Sequence, residues 1–95
     1  MSGKPKITET DIRRQVRDYL RYRGWFCFHV LQGLGAYRGI SDIIAVKGGR
    51  VLFVELKTPR GRQSEYQKEF QADLEAAGGE YLLCRGIEDL QERGI

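Results

Sequence analysis

Asp42, Glu55 and Lys57 have residue types and a spacing that suit metal-assisted chemistry. Glu55 and Lys57 are two positions apart, so in a β-strand both side chains point to the same face, roughly 6–7 Å apart. A carboxylate from a neighbouring strand would complete a set of hard oxygen ligands, which Mg²⁺ and Mn²⁺ prefer. The pattern therefore predicts a divalent-metal site with a lysine beside it.

A glycine pair, Gly48-Gly49, determines whether Asp42 is that neighbour. It separates apolar segments at 40–47 and 50–57, and two such residues between apolar runs are a strong hairpin signal. With a two-residue turn, Asp42 lies directly opposite Glu55, with the Cβ atoms roughly 4.5–5.5 Å apart. The Glu55–Lys57 spacing holds whatever the turn type.

Two opposed carboxylates repel each other, and burying them is costly unless something compensates. A divalent cation between Asp42 and Glu55 would compensate. Lys57 could also do so alone, which leaves a structural cluster without function as the alternative.

Glu9 and Gln67 are ambiguous from spacing alone. Glu9 lies on the core-facing stripe at the start of a helix, where it could reach a metal or simply interact favourably with the helix dipole. Gln67 borders the core, but it also completes a capping box that starts at Ser64, which explains it without a function.

His29 and three loop arginines have ordinary explanations beside functional ones. A lone histidine in a strand is more often a packing residue than a catalytic base. The arginines are either solvated charges or contacts to DNA phosphates; they are Arg38, Arg60 and Arg62.

Hydrophobic periodicity and turn residues predict an αβββαβα order, which is typical of a three-layer α/β domain. Strands 40–47 and 50–57 carry apolar residues on both faces and are expected to be central and covered. The helix at 64–77 is expected to present Tyr66, Phe70, Leu74 and Ala77 to the core. The remaining predicted elements are a helix at 8–23, strands at 25–31 and 80–84, and a short helix at 87–93.

Length and composition fit one small globular domain covering residues 1–95, with 1–7 as a flexible tail. Hydrophobic residues are 41% of the chain and charged residues 31%, which argues against disorder. Positive charge is concentrated at 1–25 and 47–62, which favours a basic face suited to a phosphate backbone. Cys27 and Cys84 are expected to be buried and reduced, because no CxxC accompanies them. The N-terminal segment has no apolar signal-peptide core, so a cytoplasmic location is expected.

The chain resembles the virus-type replication-repair nuclease (VRR-NUC) family of the PD-(D/E)XK nuclease superfamily. The motifs are Gly39-Ile40-Ser41-Asp42 and, after twelve intervening residues, Glu55-Leu56-Lys57. Glu9 in a preceding helix and Gln67 in a following one complete the ordered set. Ser41 stands where the family usually has proline, so an altered entry into the strand is expected.

The resemblance implies a restriction-endonuclease-like αβββαβ(α) core with a central mixed sheet, and a Mg²⁺- or Mn²⁺-dependent deoxyribonuclease. It assigns the metal to Asp42, Glu55, the Leu56 carbonyl and Glu9, the last directly or through water. It also assigns Lys57 and Gln67 to catalysis.

Stand-alone members of the family resemble Holliday-junction resolvases and act as homodimers, so branched DNA and a second copy of the chain are the expected partners. Neither a membrane nor a small-molecule cofactor is expected, and the resemblance implies a bacterial or phage-infected host cell. Three aromatic residues could contribute to the dimer interface; they are Tyr37, Tyr66 and Phe70. The alternatives are a nuclease for flaps or duplex ends, and a module that binds junctions without cutting them.

Overall fold

The computed structural model describes residues 6–95, so the prediction of a tail at 1–7 lies mostly outside the described residues. Three helices and four strands follow the predicted order. In chain order they are α1 (Glu9–Tyr22), β1 (Phe26–His29), β2 (Ile43–Lys47), β3 (Arg50–Leu56), α2 (Glu65–Ala76), β4 (Glu80–Cys84) and α3 (Ile87–Glu92).

The four strands form one mixed sheet in the order β1-β2-β3-β4, so β2 and β3 are central as predicted. β1 and β3 both run antiparallel to β2, and β4 runs parallel to β3. The β2–β3 hairpin has the predicted register, from Lys47↔Arg50 at the turn to Ile43↔Val54. Gly48 and Gly49 have φ values of 56° and 81°, the left-handed conformation that a tight hairpin turn requires.

Helix α1 begins where the sequence provides a cap. The Thr8 hydroxyl accepts from the Asp11 N–H, and the Asp11 carboxylate accepts from the Thr8 N–H, each at 3.1 Å. Three residues at the helical period are fully buried: Ile12, Val16 and Leu20. This apolar stripe fixes the helix on the sheet and brings its first turn toward the β2 end that carries Asp42.

One face of the sheet holds the main core. α1 and α3 cover it, and the cluster includes Ile43, Ala45, Leu52, Val54 and Leu56 from the two central strands. Trp25 and Cys27 are also buried there. Cys27 and Cys84 are both buried and free, as predicted.

The opposite face is covered by α2 over β3 and β4, which completes the three layers. The ring of Phe70 packs against Phe53 and Tyr81, with centroids 5.9 and 6.2 Å apart. No α2 residue is fully buried; Tyr66 is 51% exposed, and Ala77 lies exposed just past the helix end, so the predicted place of these two residues in the core is wrong.

The prediction that both central strands are covered is wrong on this second face, at the turn end of β3 and toward β1. Val51 is 41% exposed there, and Phe26 and Phe28 on β1 are 67% and 44% exposed. The physical reason is that α2 is short and lies over β4, so it does not reach across β2 to β1.

In the part of the chain that the structure describes, no helix has the length and apolarity to span a bilayer.

Candidate metal centre

Glu55 lies near the end of β3 with a side chain that is only 1% exposed. Its Oε2 accepts a 2.7 Å hydrogen bond from Gln67 Nε2 and lies 3.4 Å from the Lys57 ammonium nitrogen. Lys57 is itself only 15% exposed. Strand alternation places Lys57 on the same face as Glu55, which is the relationship that the sequence predicted.

The other carboxylate oxygen of Glu55, Oε1, is buried and has no hydrogen-bond partner among residues 6–95. An unpaired buried polar atom is costly, and such atoms are rare in native proteins unless a ligand satisfies them. Burial is the main cause that raises the pKa of Glu55, the nearby Asp42 carboxylate adds to the rise, and Lys57 opposes it, which together give a pKa of about 8. In the absence of a cation, Glu55 therefore carries a proton near neutral pH.

Asp42 immediately precedes β2, and its backbone contacts both neighbouring strands. Its N–H donates to the Val54 carbonyl at 3.0 Å, and its carbonyl accepts from the Val30 N–H at 2.8 Å. In a regular strand both groups of one residue point toward the same neighbour. The chain therefore twists at Asp42, and the regular pairing ends at Ile43↔Val54.

This twist modifies the predicted opposition of Asp42 and Glu55. The ladder stops one pair short of them, and the Asp42 carboxylate turns to accept from the Leu56 N–H at 2.8 Å. The two carboxylates nevertheless remain close enough for Asp42 to raise the pKa of Glu55. Leu56, whose carbonyl was predicted as a ligand, ends β3 and pairs with Cys84 of β4.

The donor set fits a hard cation that retains several water ligands. No group of three or more His, Cys, Asp or Glu side chains within residues 6–95 is arranged to enclose a metal. Mg²⁺ does not need such an enclosure, because one or two carboxylates and several waters commonly bind it. Asp42 and the unpaired Oε1 of Glu55 are two such donors.

Glu9 lies at the first position of α1 and stands apart from the two carboxylates. Its Oε2 is 3.1 Å from Arg13 Nη2, and its side chain is 47% exposed. Arg13 in turn lines a groove with Asp42, His29 and Gln32. Arg13 thus links Glu9 to the groove, and Glu9 itself makes no hydrogen bond to Asp42 or Glu55.

Gln67 both caps α2 and contacts Glu55. Its Oε1 accepts from the Ser64 N–H at 2.9 Å, and its backbone N–H donates to the Ser64 hydroxyl at 3.2 Å, which is a complete capping box. Its amide nitrogen donates to Glu55 at the same time. The cap and the carboxylate therefore share one side chain.

The other predicted residues lie around this centre. Arg38 donates to the Tyr66 hydroxyl at 2.7 Å, and its guanidinium lies 4.9 Å from the centroid of that ring. Arg60 and Arg62 are exposed in the connector after β3. His29 ends β1 and faces the groove that contains Asp42.

Arg85, which no sequence pattern indicates, organises the connector between β3 and α2. Its Nη1 donates to the carbonyls of Thr58 and Gly61, each at 2.7 Å. The connector follows directly on Lys57, so Arg85 supports the chain segment beside the carboxylates. No local pattern marks this residue, because the contact joins positions more than twenty residues apart.

Comparison of the sequence with protein-family models and with curated proteins gives no match. The structure is similar to a solved structure described as a VRR_NUC domain, with a TM-score of 0.76. The superposition covers 88% of this chain and 90% of the other. This chain has the VRR_NUC fold. The sequence identity of 15% means that the likeness to the VRR_NUC domain concerns the fold, and it confirms the predicted three-layer arrangement around a mixed sheet.

Proposed function

We propose that this protein is a divalent-metal-dependent nuclease that hydrolyses phosphodiester bonds in DNA. The observation that carries the proposal is the buried Glu55, with one oxygen unpaired beside the Asp42 carboxylate and the other held by Lys57 and Gln67. A fold that needed only stability would gain by replacing this arrangement with apolar side chains. The VRR_NUC fold, whose name denotes a nuclease, supports the same conclusion.

Each residue has a distinct role in the proposed chemistry. Asp42 and Glu55 would hold Mg²⁺ or Mn²⁺, with the Leu56 carbonyl and a water-mediated contact from Glu9 as further donors. The bound cation would polarise the scissile phosphate and lower the pKa of a coordinated water. Lys57 would stabilise the negative charge that develops on the phosphate.

Gln67 acts as a positioning residue in this scheme. Its hydrogen bond fixes Oε2 of Glu55, so the free Oε1 has a defined direction. The capping box fixes Gln67 in turn, because its carbonyl oxygen is held by the Ser64 N–H. The hydrolysis is expected to leave 5′-phosphate ends.

Branched DNA is the proposed substrate, with Holliday-junction resolution by a homodimer as the specific form. A chain of 95 residues has little surface for gripping a branched duplex, so a second copy would supply both surface and a second cut. Tyr37 and Tyr66 are 63% and 51% exposed near Arg38, which makes this region the proposed interface. Arg60 and Arg62 would contact the DNA backbone.

A second candidate function is binding to DNA junctions without cleavage. Its support is that Lys57 and Gln67 already satisfy Oε2 of Glu55 within the protein. Cleavage of flaps or duplex ends is the alternative substrate choice for an active enzyme.

The decisive experiment incubates the protein with labelled four-way junction, flap and linear duplex in Mg²⁺, Mn²⁺ or EDTA. We expect junction cleavage with either metal and none with EDTA. Glu55→Ala and Lys57→Ala should reduce the cleavage rate by at least about a hundredfold. Glu92→Ala, a charge removal at an exposed position of α3, is the control and should cleave normally.

The outcomes separate the candidates. Binding without cleavage in both metals would support the non-cleaving module. Cleavage that persists unchanged in Glu55→Ala would show that the reaction occurs elsewhere.

A further inference from the structure

We infer that Arg13, Arg17 and Arg21 form a track on α1 that binds the DNA phosphate backbone and leads it to the carboxylates. The inference rests on the proposed function for the identity of the ligand. It assigns a binding surface on a different element from the loop arginines at positions 38, 60 and 62.

The spacing of the three arginines places them in one row. Residues four apart in a helix lie on the same side, about 6 Å apart along the axis. Each arginine follows a buried residue by one position, after Ile12, Val16 and Leu20. The row therefore runs along the border where α1 meets the sheet, beside the edge strand β1.

This row faces β1, because Arg13 lines the same groove as His29 and the Cys27 sulfur lies 4.0 Å from the Arg17 carbonyl oxygen. Loss of water around the ring lowers the pKa of His29, and the positive charges of Arg13, Arg17 and Arg21 lower it further, while Asp42 opposes them. All three guanidinium groups are thus close enough to act on one imidazole.

The track opens into the groove that contains Asp42. This groove has a volume of about 300 Å³, and Arg13, His29, Gln32 and Asp42 contribute its polar lining. Phosphates bound along the row would therefore continue to the carboxylate site. A polymeric substrate such as DNA requires that its binding surface continue into the site where the bond is cut.

The arginines remain available to an external anion. Arg13 pairs with Glu9 and Arg17 pairs with Asp18, but both carboxylates are about half exposed, and exposed ion pairs are weak. Arg21 makes no ion pair within residues 6–95, because no carboxylate oxygen there lies within 4.0 Å of its guanidinium nitrogens. Regularly spaced positive charges match a regularly charged polymer, which favours a nucleic-acid backbone.

The test measures DNA binding by fluorescence anisotropy as a function of salt concentration. A labelled duplex is titrated in EDTA, so that cleavage cannot interfere with the measurement. Arg17→Ala/Arg21→Ala is compared with Lys68→Ala, which removes a positive charge from an exposed position on α2, on the opposite face of the sheet from α1. Alanine is a strong helix former, so circular dichroism and thermal melting should show intact variants.

The double variant should lose affinity and show a weaker salt dependence. Each lost phosphate contact lowers the slope of log K against log salt by about 0.9, so the double variant should change it by about 1.8. The Lys68→Ala slope should equal the wild-type slope. Equal slopes for the double variant and the wild type would overturn the track.

The result also distinguishes the track from the proposed function. Cleavage by the wild type with unchanged slopes in the double variant would reject the track and retain the nuclease. Binding with the expected slopes but no cleavage in Mg²⁺ or Mn²⁺ would retain the track and reject the nuclease. Absence of DNA binding by the wild type would overturn both.

Discussion

Gln67 Nε2 donates a 2.7 Å hydrogen bond to Glu55 Oε2, while the other end of the same amide accepts from the backbone of Ser64. One side chain thereby joins the start of α2 to the end of β3. The proposed metal ligand and the helix cap are consequently coupled, because neither can move without changing the geometry of the other.

Gln67→Glu should separate these two roles. A glutamate at this position still completes the capping box, so the helix should keep its start. The amide donor to Glu55 is lost, and a carboxylate takes its place. We expect normal circular dichroism with cleavage reduced about tenfold or more, whereas Gln71→Glu, a control one turn later on α2, should cleave normally. Full activity of Gln67→Glu would contradict the positioning role.

Metal-free protein should lose stability as pH rises from about 4.5 to about 8. Folding raises the pKa of Glu55 from 4.5 to about 8, so across this range the folded state holds a proton that the unfolded state has released. The linked loss is up to about 5 kcal/mol in the free energy of unfolding. Urea denaturation in EDTA at several pH values measures it, and Glu55→Gln should remove this part of the slope. An unchanged slope in the variant would assign the effect to other groups.

Mg²⁺ or Mn²⁺ should raise the melting temperature of the wild type, and more strongly at pH 8.5 than at pH 6. A ligand that binds only the folded state stabilises it by mass action. The pH dependence follows because the cation must displace the proton from Glu55. Differential scanning fluorimetry of the wild type and Glu55→Gln checks this, and an equal rise in both would indicate binding away from Glu55.

Gly39→Ala should destabilise the protein far more than Gly35→Ala. Both glycines have positive φ, 78° and 89°, so either alanine costs about 1–2 kcal/mol in backbone strain. At Gly39 the added Cβ would also collide with the backbone carbonyl of Tyr66, whereas at Gly35 it would meet nothing within 4 Å. Such overpacking adds typically 1–3 kcal/mol. Chemical denaturation should therefore give a lower midpoint for Gly39→Ala, and similar midpoints would mean that the loop does not press on α2.

The elements and the hairpin register could be predicted from the sequence because local signals determine them. Thr8 and Ser64 mark the helix starts, and Gly48-Gly49 fixes which residues of β2 and β3 are paired. The twist at Asp42 could not be predicted, because it depends on hydrogen bonds to two strands at once. Arg85 was missed for the same reason, since its partners are distant in sequence.

The candidate site likewise contains residues that local patterns predict and others whose positions depend on tertiary contacts. Strand alternation brought Lys57 to Glu55, and the hairpin brought Asp42 near it. The contribution of Glu9 depends on the direction of its side chain at a helix end, which the spacing does not predict. In the structure the Glu9 carboxylate accepts a hydrogen bond from Arg13. Exposure of Val51 depends on how far α2 extends over the sheet, which no spacing rule describes.

Helix α2 contributes no fully buried residue, although it supplies the hydrogen bond that orients Glu55. A segment with so little buried surface is expected to open locally at a lower free energy than the rest of the domain. On heating, opening of its first turn would release Gln67 while the sheet and α1 remain intact. Thermal inactivation should therefore begin below the temperature at which the domain unfolds, and the activity of this protein would report the state of a single helical turn.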